Sequence, residues 1–456
     1  MNKKIVIIGA GVAGINAATK LVDNGYPGEL ITIIDKGNDP HNRLPEEVMT
    51  GMLGAGGWSD GKLTYHTAIG GVLSKYCGED KAMELMDQVI SNFRRFHPKP
   101  EEIFCSDPQA EPDFIKPYFG LRLFPVWHIG SNYLHEIAKA WYSYLIDKGV
   151  KFMWNTEVTK IEFDPKWSNH NMNDGIVHIK GKHLSHPSNA ILYDELIFAV
   201  GKSGIDFGKQ LADDYQLPTE PKSVQIGVRF EAPQEHFQKL IDISYDFKLY
   251  RKFDDEGVSL RSFCTNNNAA FVAVEETYGD YSYNGHAKKG EEFRNDMTNF
   301  GILMEIKGIE NPFTWSRNIV NQLQYTYKPH NPLGNDRTGL YYSPSRKPSR
   351  TSEGYEVSST QISLDTLTHV VEPVMEGYFK YVWDFIEDMK KVFPTLQDDW
   401  GIYIPEVKYL SPEVKVDYKN LALVDYPNVH FVGDALSARG ITVSGAQGIY
   451  VAESLL

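Results

Sequence analysis

The run Gly9-Ala10-Gly11-Val12-Ala13-Gly14 has the spacing G-x-G-x-x-G. Chemistry at such a turn is phosphate binding, because its backbone N–H groups can close on an oxyanion. Gly9 permits the tight turn, Gly11 lets the backbone approach a pyrophosphate, and Gly14 lets the next helix pack closely. Val12 and Ala13 lie where the helix opens, and its N-terminus adds free N–H groups and the positive end of a dipole. Asp35 follows Gly14 by 21 residues. A carboxylate there accepts hydrogen bonds from the ribose of a dinucleotide.

The elements around this turn fit the motif. Lys4 to Ile8 read as a buried parallel strand, Gly9 to Gly14 as a turn, Ile15 to Asn24 as a helix, and Leu30 to Ile34 as a second strand. Further on, Lys81 to Phe96 have helical spacing, and Ser131 is placed to cap a helix running to Asp147. "VKFMWNTEVTKIEFD" and "GIVHIKG" read as strands of a meander, and "DELIFAVGKSG" as a buried strand ending in glycine. Beyond Lys222 short alternating strands and long loops are expected, with a mobile basic turn region at Ser343 to Gly354 and a helix from Glu372 to Phe393.

Three features favour FAD over NAD as the dinucleotide. The first turn is followed by a helix with small Ala17 and Ala18. Gly201 ends a later strand, where a second backbone approach is expected. Gly433-Asp434 ends a third strand near the C-terminus, where a carboxylate can hold a ribityl hydroxyl. The closing helix is expected to begin at Gly440, Ile441 and Thr442. Its N–H groups could stabilise negative charge on the N1–C2=O edge of a reduced flavin.

In this order the motifs resemble the glutathione-reductase-type FAD superfamily. More closely, the chain resembles a bacterial family of FAD-dependent dehydrogenases. "IVIIGAGVAGINAA", "SDGKLT", "VWHIGSNYL", "ELIFAVGKSG", "IGVRFEAP", "SFCTNNNAAFVAVEE", "YNGHAKK" and "GITVSGAQGIYVAESLL" carry that resemblance over nearly the whole chain. Two features depart from it: "GDALSARGI" is poorer in glycine, and Asp35 replaces the commoner Glu. The resemblance implies that Val158 faces the adenine and that Lys36 lies near the adenosine. It also gives a use to the glycine run Thr50 to His66. Gly56, Gly57 and Ser59 would carry backbone past the pyrophosphate and the flavin ring, with Asp60 and Lys62 as the polar groups of an active-site wall.

Asp60, Lys62 and His128 are the candidate catalytic residues. Cys264 and Arg229 are weaker candidates, each with a structural alternative: a buried thiol, and one half of an ion pair. No second G-x-G-x-x-G and no C-x-x-C appear, which disfavours a disulfide reductase with two nucleotide domains. NAD(P)H is then expected only as a transient electron donor.

The expected fold is α/β. A Rossmann-like three-layer FAD-binding domain, parallel sheet plus β-meander, is built from residues 1–221 and 411–456. A mixed α+β substrate domain, 222–410, is inserted between them. The expected function is an FAD-dependent oxidoreductase that transfers hydride between a small-molecule substrate and flavin N5. The alternatives are an NAD(P)H-dependent flavin monooxygenase and a non-enzymatic binding protein on the same fold. A net charge of −14 disfavours nucleic acid as a partner. The three cysteines are far apart, which suits a reducing cytoplasm. No run reaches transmembrane length. The lysine-led start resembles an export signal, but its glycine spacing explains the same residues. The 14 histidines lack H-x-x-x-H spacing, so no metal is expected. Nothing in the sequence sets an oligomeric state.

Overall fold

Short runs of β-branched residues build the central sheet of a computed structural model of the chain. The structure describes residues 3–456 except 45–46, 72, 109, 164–174, 182–188, 221, 223, 254–255, 278–279, 288–293, 327–338, 350–358 and 410–412. Strand β1 (Ile5–Ile8) is wholly buried. Helix α1 (Val12–Asp23) begins three residues before the expected Ile15, because the Gly11 carbonyl already accepts the first helical bond, from Ile15 N–H at 3.0 Å. Strand β2 (Ile31–Ile34) follows. Next come β3 (Lys62–Thr64), α2 (Glu79–Phe96), β4 (Phe104–Ser106), β5 (Val126–His128) and α3 (Leu134–Asp147). The chain continues through β6 (Lys151–Met153), β7 (Thr156–Glu162), β8 (Gly175–Gly181), β9 (Asn189–Tyr193) and β10 (Glu195–Phe198). After the second unit it returns as β11 (Val429–Phe431) and α4 (Ile441–Ser454).

The five-stranded sheet has the order β11-β10-β1-β2-β6, with every neighbouring pair parallel. Both ends of the chain therefore enter one sheet. Strands β7, β8 and β9 form an antiparallel meander. Helices, sheet and meander make three layers that share one apolar core, an α/β fold of Rossmann type. Helices α1 and α4 lie so close that a Cβ on Gly448 would stand 2.0 Å from the Ala13 carbonyl oxygen.

Two compact units result. One holds Met1–Cys105, Val126–Glu220 and Ser411–Leu456, and the other holds Ser106–Pro125 and Pro221–Leu410. Residues 106–125 thus leave the expected first segment, because the strand Gly120–Arg122 pairs with Lys248–Phe253 in the second unit. That unit contains an eight-stranded sheet, a separate hairpin, Ala270–Thr277 and Asp280–Ala287, and helices that include Pro312–Thr326 and Phe379–Val392. Its strands are longer than expected: Val224–Pro233 and Met297–Ile306 have ten residues each.

Other expectations need correction. The run Val150 to Asp164 does not lie wholly in the meander, since β6 joins the parallel sheet and Asn155, with φ 50°, breaks the chain before β7. Ser131 does not cap α3; a 3₁₀ turn, Ser131–Tyr133, intervenes. The helix expected over Glu372 to Phe393 is broken at Glu376 and Gly377, both at positive φ, and resumes at Phe379–Val392. The basic segment from Ser343 is tied down as far as Ser349. Its Arg346 pairs with Asp399 at 2.5 Å, and Ser349 N–H donates to Tyr403 Oη at 2.8 Å. Residues 350–354 lie outside the described residues. Among the described residues no helix is long and apolar enough to cross a membrane, and no group of three His, Cys, Asp or Glu could hold a metal ion.

Candidate functional site

The first turn sits where three strand ends converge. Gly9 has φ 106°, and a Cβ there would lie 2.2 Å from the Ala199 carbonyl oxygen. A Cβ on Gly14 would lie 2.2 Å from the Gly9 carbonyl oxygen. Only glycine fits either place. Gly11 is different: a Cβ there would meet no atom within 4 Å. Its side of the turn is open, and α1 begins there with no side-chain cap and no acid in its first turn. The N–H groups of Val12 and Ala13 open that helix.

Asp35 ends β2. Its carboxylate accepts from the N–H groups of Ala10 at 2.9 Å, Gly37 at 2.8 Å and Gly51 at 2.8 Å. A carboxylate has about four acceptor positions, so the loop uses most of them and leaves room for one more donor. The Asp35 carbonyl accepts from Thr156 N–H at 3.0 Å. This sets Val158, half-buried in β7, two residues downstream of a contact with Asp35. Lys36 is exposed and donates to the Ser203 carbonyl at 3.1 Å.

The second glycine run folds back onto the first. Leu53 N–H donates to the Ala10 carbonyl at 2.8 Å, and Leu53 bridges to Gly11. Gly56, in the 3₁₀ turn Gly54–Trp58, has its missing Cβ 2.5 Å from Val12 Cγ2 and 3.5 Å from Ile441 Cγ1. It therefore lies against the first residues of both α1 and α4. Gly57 leaves room for Arg43, whose Nη1 would be 2.7 Å from a Cβ there. Ser59 Oγ donates to the Gly56 carbonyl at 2.9 Å and closes the turn.

Sequence reasoning missed Arg43. Its guanidinium donates to the carbonyls of Glu47 (2.9 and 3.1 Å), Val48 (3.2 Å), Met52 (2.7 Å) and Gly54 (2.8 Å). Burial pushes its pKa down to about 10, against the pull of Asp35 and Glu47. It is the fork that shapes the glycine run. A lone arginine in a loop gives no periodicity by which to find it.

At the other chain end, Gly201 caps a short 3₁₀ turn after β10, with φ 62° and open space at its Cβ. Gly433 follows β11, and its N–H donates to buried Gln447 Oε1 at 2.8 Å. Burial raises the pKa of Asp434, against the pull of Arg439 and Lys202. Among the described residues no hydrogen bond reaches its carboxylate. Gly440 caps α4 with φ 85°, and Ile441 and Thr442 open the helix, which has no acid in its first turn. Thr442 is 2% exposed, and its Oγ1 has no hydrogen-bond partner. The orphaned Thr442 hydroxyl and the unbonded Asp434 carboxylate thus stand eight residues apart, one at the start of α4 and the other in the Gly-Asp turn. Buried polar groups are nearly always bonded, so the Thr442 hydroxyl fits a polar ligand at this helix terminus, and the half-buried Asp434 carboxylate is open to the same ligand.

Strand pairing gathers the candidate catalytic residues. In the β3–β5 ladder Lys62 is the direct partner of His128, so their side chains share a face. Lys62 Nζ lies 2.8 Å from Asp60 Oδ2, with the two side chains 6% and 16% exposed. His128 is buried, and its ring stacks on Phe104 at 4.4 Å. Arg229 and Cys264 lie in the second unit. Arg229 is fully buried 2.8 Å from Glu406 and donates to the Cys264 carbonyl at 3.1 Å. It is half of an ion pair and presents no free cation.

No protein-family model matches the chain, and no curated protein matches its sequence. Solved structures resemble it distantly. The halogenase PltM is 13% identical, with a TM-score of 0.41 over 100% of this chain and 68% of that one. CmlS, a flavin-dependent halogenase, is 12% identical with a TM-score of 0.38 over 100% and 56%. A flavoprotein/dehydrogenase from Cytophaga hutchinsonii is 12% identical with a TM-score of 0.32 over 85% and 82%.

Proposed function

We propose that the chain is an FAD-dependent oxidoreductase that transfers hydride between a small-molecule substrate and the flavin. One observation carries the reading. Gly56 lies against Val12 of α1 and Ile441 of α4, so a single glycine run borders two uncapped helix N-termini. FAD is a ligand that suits such a pair, with an anionic pyrophosphate and a ring whose N1–C2=O edge takes on negative charge when reduced.

The residues present fit that group. Gly11, Val12 and Ala13 would meet the pyrophosphate, and Asp35 has acceptor room for a ribose hydroxyl. Asp434 would accept from the ribityl chain. The N–H groups at Ile441 and Thr442 would face the polar edge of the ring, and the Thr442 hydroxyl would gain a partner. Bound FAD supplies two-electron chemistry; the protein supplies position, dryness and charge. Lys62, fixed by Asp60, would orient an electron-rich substrate group. His128, on the same face, would move a proton at an imidazole nitrogen. The dehydrogenase family that shares the sequence motifs is the finer form of this proposal, with NAD(P)H as a transient donor.

The test is anaerobic reduction of the FAD-loaded chain by NADH, NADPH and a panel of hydroxy, amino and enone substrates, read as loss of oxidised flavin absorbance. Admitting oxygen then separates a dehydrogenase from a monooxygenase, which would place an oxygen atom in the product. An FAD-loaded chain that no donor or substrate reduces is a binding protein and refutes the proposal.

A further inference from the structure

The sheet of the second unit ends in three antiparallel strands: Val258–Asn266, Lys248–Phe253 and Gly120–Arg122. Their register sets Arg122 opposite Lys248, and Tyr250 opposite both Gly120 and Arg261. Paired residues and alternate residues share a face. Arg122, Lys248, Tyr250 and Arg261 therefore stand together on one side, while Leu121, Leu249 and Leu260 are buried on the other. Gly120 is fitted to this face: a Cβ there would lie 2.0 Å from Tyr250 Cζ, so the ring spreads over its backbone.

Cations on adjacent strands repel unless each has a counter-charge. Lys248 has one, with Nζ 2.5 Å from Asp246 Oδ1. Among the described residues Arg122 and Arg261 have neither an ion pair nor a hydrogen-bond partner. Arg261 is half-buried, its Nε is shut off from solvent without an acceptor, and its guanidinium packs 4.2 Å over Phe263. Glu305 acts on it only from beyond ion-pair distance. A shielded guanidinium without an acceptor is costly, and in a chain of net charge −14 carboxylates were available to pair it.

We propose that this face is an anion-binding site in which Arg122 and Arg261 hold a carboxylate or phosphate group of a small-molecule reactant. A guanidinium suits a planar or tetrahedral oxyanion, which accepts paired N–H bonds, and Arg122 and Arg261 flank the Lys248–Phe253 strand on one face. Tyr250 and Phe263 offer an aromatic bed for the carbon skeleton next to the anion. The site does not depend on what the first unit binds.

The full chain would be titrated calorimetrically at low ionic strength with inorganic phosphate and with benzoate, against sodium chloride at matched ionic strength. Wild type is expected to bind at least one oxyanion in the millimolar range. Arg261→Gln and Arg122→Gln are each expected to weaken that binding at least tenfold. Lys252→Gln, two residues beyond Tyr250, should change it less than twofold. NADP⁺ and NAD⁺ distinguish the sources. A preference for NADP⁺ that Arg261→Gln abolishes assigns the anion to a nucleotide phosphate. Benzoate binding with no such preference assigns it to a substrate carboxylate. Wild type binding neither oxyanion above the chloride control overturns the proposal, as do arginine variants that bind like wild type. Should Arg261→Gln fail to fold, Arg122→Gln, at an exposed strand end, still decides.

Discussion

Gly11→Ala separates folding from cofactor binding. Gly11 has φ −68° and ψ 177°, ordinary values for alanine, and its added Cβ would meet nothing within 4 Å. The apo chain should therefore tolerate the change. Narrowing the unfolded ensemble should even add ~0.4–1 kcal/mol of stability. The cofactor is affected differently, because the methyl would stand on the open side of the turn. Keeping two N–H groups from a pyrophosphate costs ~1.5–3 kcal/mol for each charge-assisted bond. A total of at least ~3 kcal/mol corresponds to roughly 150-fold weaker binding. Urea unfolding of the apo variant and an FAD fluorescence-quenching titration measure the two effects. Wild-type affinity for FAD in this variant would refute the phosphate role of the turn. A loss of more than ~2 kcal/mol in the apo form would refute the open geometry.

Arg43→Lys should weaken FAD binding about tenfold to a hundredfold, because an ammonium cannot replace a planar fork that serves four carbonyl groups; unchanged affinity would show that the glycine run holds its shape unaided. Asp60→Asn should cost about 3 kcal/mol by removing the carboxylate partner of a nearly buried lysine. The double variant with Lys62→Met should recover more than half of that, as double-mutant unfolding curves would reveal. Glu231 is buried, and desolvation pushes its pKa from 4.5 up to about 7. The folded chain then keeps a proton that the unfolded chain has lost, so wild-type stability falls as pH rises from 4.5 to 7. Glu231→Gln should remove on the order of 3 kcal/mol of that decline; parallel stability curves for wild type and variant would contradict it.

The β1-turn-α1-β2 unit could be read from sequence because its signals are local. Glycine spacing, β-branched runs and an acid at a strand end all fall within 35 residues. The setting of the glycine run could not be read so, because Gly56 meets Ile441 across nearly the whole chain. Only the family resemblance pointed it toward the cofactor. Lys62 and His128 were singled out separately, and a strand register that no motif encodes made them neighbours. Arg229 was weighed as an anion anchor, yet its charge is spent on Glu406. The unpaired Arg122 and Arg261 escaped notice, because pairing across strands decides which arginine is left over. Helix breaks were missed for a similar reason: Gly377 interrupts a run whose apolar spacing alone reads as continuous.

The central claim is that one FAD fits across the N-termini of α1 and α4. Titration of the folded apo chain with FAD, followed by its visible absorbance after gel filtration, tests this most directly. One equivalent of retained FAD, displaced by excess ADP and not replaceable by FMN, is the expected result. A folded chain that emerges colourless and retains no FAD would contradict it.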